Sequence, residues 1–282
     1  MNSITILYNY TLYIYNYHYV ILLQVFARAK LTADDEAGVE LFTCYGHDPI
    51  SKGSAFLRTG AIIGVPPTFY YSSPADIDKE KLCIGRKHID WDTPVAKRLA
   101  QSVVLSDKAK AFGIARELMN TCSYHVYING GLQSLFTLAA FSGGFYMNRK
   151  FFLRERMKMW GRLGIYGVLG VVSYTMYMLL SDTYNCFREN SADRRAARLG
   201  WAYAEGGVEF YSKALERNKA LRELMGAEGS VMYTLHGNKA ATLRNSTVQL
   251  TERKNAVEKY LLEFHEKEEK RQKEASTKAQ AQ

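Results

Sequence analysis

The chain has 282 residues, 47% hydrophobic and 23% charged, and its 37 basic against 28 acidic side chains give a formal net charge of +9. The excess does not point to nucleic acid: no zinc-finger or RNP-type pattern is present, and the stretch 148–162 supplies about half of it. Cys44, Cys83, Cys122 and Cys186 are scattered without a C-x-x-C pair, so they read as packing residues and no metal, redox centre or other cofactor is expected.

In chain order, residues 1–26 carry no formal charge and include Tyr8, Tyr10, Tyr13, Tyr15, Tyr17 and Tyr19. Ile4–Phe26 is long enough for a membrane span, but Tyr and Asn make it weakly apolar, and an interfacial segment competes with that reading. It lacks the basic start of a signal peptide and the Arg/Ser-rich character of a transit peptide. Residues 27–123 read as a soluble α+β part. A strand over Ala61–Val65 stops at Pro66-Pro67, and Lys81–Ile84 and Lys87–Ile89 flank Gly85-Arg86 as a hairpin. Asp92 or Thr93 caps a helix whose first residue is Pro94. Ser106 caps the next helix, Asp107–Thr121, with Ala109, Phe112, Ile114, Ala115 and Leu118 spaced as a buried stripe.

Two uncharged stretches follow, Tyr124–Met147 and Leu163–Ser181 (residues 124–147 and 163–181). At about 1.5 Å rise per residue, either can cross a hydrocarbon core about 30 Å thick. Two buried helices of a soluble protein are the rival reading, favoured by polar Gln133, Ser134, Thr137, Ser142 and Tyr174. The complete absence of charge in both stretches decides for a membrane hairpin. The loop between them, 148–162, holds Arg149, Lys150, Arg154, Arg156, Lys158 and Arg162 against the single acid Glu155. A short loop this basic stays on the cytoplasmic or matrix side, which places both flanks on the opposite one. Ala139/Gly143, Ala140/Gly144 and the run Gly161, Gly164, Gly167, Gly170 suit close helix packing in lipid.

Residues 182–250 read as a soluble helical part, with Ala192–Arg217 broken near Gly206-Gly207 and Glu205 and Glu209 on a solvated face. Residues 251–282 form a charged helix and tail, in which Val257, Tyr260, Leu261 and Phe264 share one side. The fold class is therefore a mainly α membrane protein with a small β element. It has a two-helix transmembrane hairpin, a further N-terminal span if residues 4–26 cross, and soluble α+β flanks.

No complete catalytic motif stands in the chain, so it is not expected to be an enzyme. Ala115-Arg116-Glu117-Leu118-Met119-Asn120 before the hairpin and Glu189-Asn190-Ser191-Ala192-Asp193 after it are similar in order and register to HtpX-like membrane zinc metallopeptidases. That class carries A-H-E-L-x-H and E-x-x-A-D at these places, so the flanks resemble a degenerate metallopeptidase scaffold. The resemblance makes Arg116, Glu117, Asn120 and Glu189 vestigial site positions. Arg116 and Asn120 stand where two histidines would hold zinc; a guanidinium cannot be deprotonated to bind a cation. The expectation is that Arg116 pairs with Glu189 in place of the metal.

A closer likeness covers nearly the whole chain after about Phe26. Thr59–Pro66, His88–Pro94, Ala115–Leu118, Asp193-Arg194-Arg195, Ala202–Tyr211 and Met232-Tyr233-Thr234 with Gly237-Asn238 resemble the transmembrane protein 177 family. Gly64, Pro66, Asp90, Trp91, Pro94, Gly206, Gly207, Glu209 and Tyr211 are the motif positions. Family members open with an apolar helix and a Pro-rich connection, from which this Tyr-rich start departs. The resemblance implies a multi-pass protein of the mitochondrial inner membrane that assists cytochrome c oxidase biogenesis. It implies partnership with subunit 2, its membrane chaperone and copper-delivery proteins, with soluble parts facing the intermembrane space.

Overall fold

Val39-Glu-Leu-Phe-Thr alternates inward Val39 and Leu41 with outward Glu40 and Phe42, and this period of two makes it a strand with one buried face. It is β1 (Val39–Thr43), followed by β2 (Ile50–Gly53) and β3 (Ala61–Val65). The sheet order is β1-β3-β2, with β3 parallel to β1 and antiparallel to β2. Of these strands the sequence reading anticipates only β3; β2 is short and polar, and β1 follows directly on a turn. The computed structural model describes residues 19–32, 36–77, 79, 83–84, 87–240, 244 and 247–280. The expected second hairpin is present as β4 (Cys83–Ile84) and β5 (Lys87–His88), paired antiparallel, with its Gly85-Arg86 turn outside the described residues.

The helices are α1 (Tyr19–Ala29), α2 (Pro94–Val103), α3 (Asp107–Thr121), α4 (His125–Phe151), the single turn α5 (Leu153–Arg156), α6 (Met159–Ala197), α7 (Trp201–Met225), α8 (Ala227–Met232) and α9 (Leu250–Gln280). Thr93 accepts from the Ala96 N–H to cap α2 with Pro94 at its first position, and Ser106 accepts from the Ala109 N–H to cap α3. The molecule is thus mainly helical with a small sheet. It divides into two units: Met1–Ser123, Glu189–Arg244 and Val248–Gln282 form one, and Tyr124–Arg188 with Asn245–Thr247 the other.

The first unit has an apolar core shared by its sheet and helices. Val39, Leu41, Ile63 and Val65 of the sheet meet Phe112, Ile114 and Leu118 of α3, Phe210 and Tyr211 of α7 and Val257 of α9. Fully burying side chains of this size stabilises by roughly 1.5–3 kcal/mol each. From α1, Ile21, Leu22, Val25 and Phe26 join the same core. At the described end of the Ile4–Phe26 stretch these four side chains pack against protein, while Tyr19 and Val20 stay exposed; residues 4–18 lie outside the described residues.

Two expectations about α7 are corrected. The helix runs unbroken through Gly206 and Gly207, and the chain breaks instead at Leu199-Gly200. A Cβ at Gly206 would lie 2.2 Å from the Lys108 carbonyl oxygen, and one at Gly207 would lie 2.7 Å from the Phe112 ring. The glycines let α7 touch the backbone of α3; they do not end it. Nor are Glu205 and Glu209 merely solvated: Lys108 donates to Glu205 at 2.5 Å, and the Ser106 N–H and hydroxyl both donate to Glu209.

In the second unit α4 and α6 run antiparallel. The Ser173 hydroxyl donates to the Phe136 carbonyl at 2.6 Å, the Phe136 and Tyr177 rings lie 6.5 Å apart, and Gly143 and Gly144 admit Leu169 and Tyr166. Gly164, Gly167 and Gly170 have nothing within 4 Å of a built Cβ, so the α6 glycine run is not part of this contact. Leu138, Phe141, Phe145, Val168 and Val171 are exposed. Only α6, among the described helices, is long and apolar enough by composition to cross a membrane; the polar Asn129, Gln133, Ser134 and Thr137 dilute α4.

Candidate functional site

Four helices and one strand of the first unit bring charged side chains into its interior. From α3 come Arg116, Glu117 and Asn120, from the end of α6 Glu189 and Asp193, from α7 Tyr211, from α9 Arg253 and from β2 Ser51. Arg116 and Glu117 are neighbours on α3, and Nη1 of the first lies 2.9 Å from Oε1 of the second. The Arg116 Nε also lies 3.3 Å from Asp193 Oδ1. Asp193, 2% exposed, is the hub: Arg253 donates through Nε at 2.6 Å and Nη2 at 2.7 Å, and the Tyr211 hydroxyl donates at 2.6 Å. The Arg253 guanidinium also stacks 5.1 Å from the centre of the Tyr211 ring.

Both ends of this chain of contacts are held. Ser51 donates to Glu117 at 2.6 Å, and the Asn120 amide nitrogen donates to Ser51 at 3.1 Å. At the other end Glu189 accepts from Arg253 at 3.5 Å and from the Val248 N–H at 3.3 Å. The four positions taken from the motif comparison, Arg116, Glu117, Asn120 and Glu189, are thus gathered into one network, but the expected pair is corrected. Arg116 binds Glu117 and Asp193, and Glu189 is taken by Arg253. The α9 helix supplies a second guanidinium that the motif comparison did not contain. Its signal was present: Arg253 stands four residues before Val257, on the same side of α9 as Tyr260 and Phe264. A charge on an apolar stripe demands a buried counter-ion.

Electrostatics follow from the burial. Desolvation and the neighbouring Arg253 oppose the charge on Arg116, but the Glu117 and Asp193 carboxylates favour it, and its pKa lies above the ordinary value. Desolvation opposes the Arg253 charge too, and the Asp193 and Glu189 carboxylates favour it, so its pKa also lies above the ordinary value. For Tyr211, burial is the main cause of a pKa well above 10.0, with Asp193 adding to it and Arg253 opposing, so the phenol stays a neutral donor.

Zinc does not fit this donor set. The Arg116 guanidinium stands within hydrogen-bond reach of two of the three carboxylates, where its charge would repel a cation. Among the described residues no group of three or more His, Cys, Asp or Glu side chains is placed to hold a metal ion. Glu117 and Asp193 have both oxygens engaged by guanidinium or hydroxyl donors, and Glu189 has Oε2 engaged by Arg253 and the Val248 N–H. A cleft beside Asp193, lined by Asn190, Arg194, Glu252, Lys259 and Tyr260 among others, carries both signs of charge.

A second ion pair escaped the sequence reading altogether. Arg217, 8% exposed, donates to both oxygens of Asp48 at 2.9 and 3.1 Å, and Asn218 beside it donates to the Gly237 carbonyl at 2.7 Å. Burial opposes the Asp48 charge, but the guanidinium prevails and holds its pKa below the usual carboxylate value. Separated by 169 positions in sequence, the pair leaves no local signal.

The motif residues fall into structural roles. Gly64 lies mid-sheet in β3, and the Pro66 carbonyl ends that strand by accepting from the Phe69 N–H. Asp90 accepts from the Asp92 N–H, Trp91 donates to the Lys79 carbonyl at 3.3 Å, and Pro94 opens α2. His88 pairs with Cys83 across β4 and β5, and its side chain lies outside the described residues. Gly206 and Gly207 set the α3–α7 approach, Glu209 caps α3 from outside it, and Tyr211 belongs to the ion cluster. Arg149, Lys150, Arg154, Arg156 and Lys158 are exposed around α5, while Arg162 is half-buried.

A sequence model of the family described as "Transmembrane protein 177" matches residues 42–269. Curated relatives of that name are 32% identical in Mus musculus over 211 residues, 33% in Rattus norvegicus over 211 residues and 31% in Homo sapiens over 210 residues. In each case 70% of this chain aligns, and it spans 63% of the relative's length, just under two thirds. No solved structure matches the chain.

Proposed function

The chain belongs to the transmembrane protein 177 family, and from that premise we propose that this membrane protein is a non-enzymatic assembly factor supporting cytochrome c oxidase biogenesis in the mitochondrial inner membrane. Its clients are subunit 2 of the oxidase and the membrane chaperone and copper-delivery proteins that attend it. Both α4 and α6 cross the bilayer as a hairpin, and the basic segment 148–162 stays in the matrix. The soluble parts then face the intermembrane space.

The observation that carries the non-enzymatic reading is the Arg116 guanidinium, held between Glu117 and Asp193 where a hydrolase of similar register would need a metal ligand. The exposed Leu138, Phe141, Val168 and Val171 support the hairpin, since so long an apolar surface is untenable in water. Photo-crosslinkers placed in Leu132–Tyr146 are expected to capture newly made subunit 2. No adduct, together with normal oxidase levels after gene deletion, would remove the assembly role. Stoichiometric zinc in purified protein would reopen the peptidase alternative. Epitopes at residues 100 and 230 should be digested by protease in mitoplasts; protection of both would reverse the orientation.

A further inference from the structure

The outward face of the three-stranded sheet is apolar at its centre and carries opposite charges at its two margins. Phe42 of β1 and Ile50 of β2 are both paired with Gly64 of β3, and Glu40 and Lys52 are both paired with Ile62. The face therefore has two rows: Phe42, Gly64, Ile50, and beside it Glu40, Ile62, Lys52. A Cβ built on Gly64 would lie 2.8 Å from the Phe42 ring and 3.0 Å from Ile50, so these two side chains close over the glycine as one ridge. Phe42, Ile50 and Ile62 remain 37%, 43% and 42% exposed. Glu40 and Lys52 are exposed too, two strand spacings or roughly 10 Å apart, and too far from one another to pair.

We propose that this sheet face is a self-association surface, occupied by the same face of a second copy of the chain. Its charges have the symmetry that such a pairing needs. A two-fold axis lying between two stacked sheets, parallel to β3 and above it, exchanges the β1 side of one copy with the β2 side of the other. It sets Glu40 opposite the second copy's Lys52, and Lys52 opposite the second copy's Glu40. The same operation lays Phe42 on Ile50 and Ile62 on itself. One axis thus satisfies both charges and both apolar rows, as an isologous interface requires. Aligned stacking of this kind is the usual packing of two sheets.

Three part-exposed apolar side chains fall short of the roughly 800 Å² per partner of a stable interface in solution. The dimer is accordingly weak in dilute detergent and forms when membrane anchoring raises the local concentration of the chain. It rests on the membrane reading for that concentration and is independent of the assembly role.

The test uses the full chain in liposomes, without any partner. Stacked sheets stand about 10 Å apart, so the second copies of Ile62→Cys are too distant for a disulfide but within reach of a short bis-maleimide. Ile62→Cys should give a crosslinked dimer absent from the parent chain with its native cysteines. Adding Glu40→Lys, or adding Lys52→Glu, should each lower the yield roughly threefold or more, since two like-charged contacts replace two opposite ones. The combined Glu40→Lys/Lys52→Glu chain should regain the parent yield, and its melting temperature checks that all variants fold. No dimer above background, a yield indifferent to the single reversals, or failure of the double reversal to restore it would each overturn the proposal.

Discussion

The two units of this protein invert each other. In the first, Asp193, Arg116, Arg253 and Glu117 are buried and tied together, while much of the surface is charged. In the second, the exposed surface of α4 and α6 is mostly apolar, with Gln133, Ser134 and Thr137 of α4 as polar exceptions, and basic side chains gather around α5. On the proposed membrane hairpin, the solvent explains the contrast. Water tolerates ions outside and demands partners for those inside, whereas hydrocarbon tolerates apolar surface and rejects charge. A substitution should therefore have opposite consequences in the two units, and that is where the comparison can be broken.

The largest effect is expected at the hub. Asp193→Ala leaves two buried guanidiniums without their shared carboxylate and should destabilise the first unit by roughly 3–5 kcal/mol. Thermal unfolding of the purified protein measures it; a change under 1 kcal/mol (about a tenth of typical total stability) would show that the cluster is not structural. Next is Val171→Lys, which adds a charge to the exposed face of α6. In a bilayer it should disfavour insertion by about 2.5–3.5 kcal/mol and release the chain during alkaline extraction. Unchanged extraction would place that face in water.

Gly206→Ala must push against the Lys108 backbone and is expected to cost roughly 1–3 kcal/mol. Gly164→Ala, with nothing within 4 Å, should stay within about 0.5 kcal/mol of the parent. Equal effects would contradict the packing described for the two glycines. Acid provides a finer probe. The Asp48 pKa lies below its unfolded value of 3.8, so its pairing with Arg217 contributes above that pH and is lost as pH falls further. Asp48→Asn should be less stable than the parent at pH 7 and flatten the slope of melting temperature below about pH 4. The smallest effect belongs to the exposed Arg98–Glu223 pair, where Glu223→Gln should shift stability by no more than about 0.5 kcal/mol.

What the sequence disclosed follows the range of the interactions. Caps, the strand before Pro66, the second hairpin and the stripes of α3 and α9 are set by neighbours within a few residues, and they are where the reading placed them. The glycine pair misled because glycine both ends helices and permits close approach; only the packing of Gly206 on Lys108 separates the two. The ion cluster was half legible. Motif order pointed to Arg116, Glu117, Asn120 and Glu189, but Asp193 and Arg253 are 60 positions apart and meet only in the fold. Ser51 stood in a strand too polar to be recognised. The apolar face of the sheet was hidden for the same reason, since it exists only once β1 and β2 flank β3.

The weakest point of the contrast between the units is α4, less apolar than α6 yet read as its partner in lipid. Single cysteines at Leu138, Phe141, Val168 and Val171, in a background without native cysteines, can be challenged in intact membranes with a membrane-impermeant maleimide. The account predicts that all four stay unmodified until detergent is added. Labelling of Leu138→Cys and Phe141→Cys before detergent would contradict it and leave α6 to cross alone.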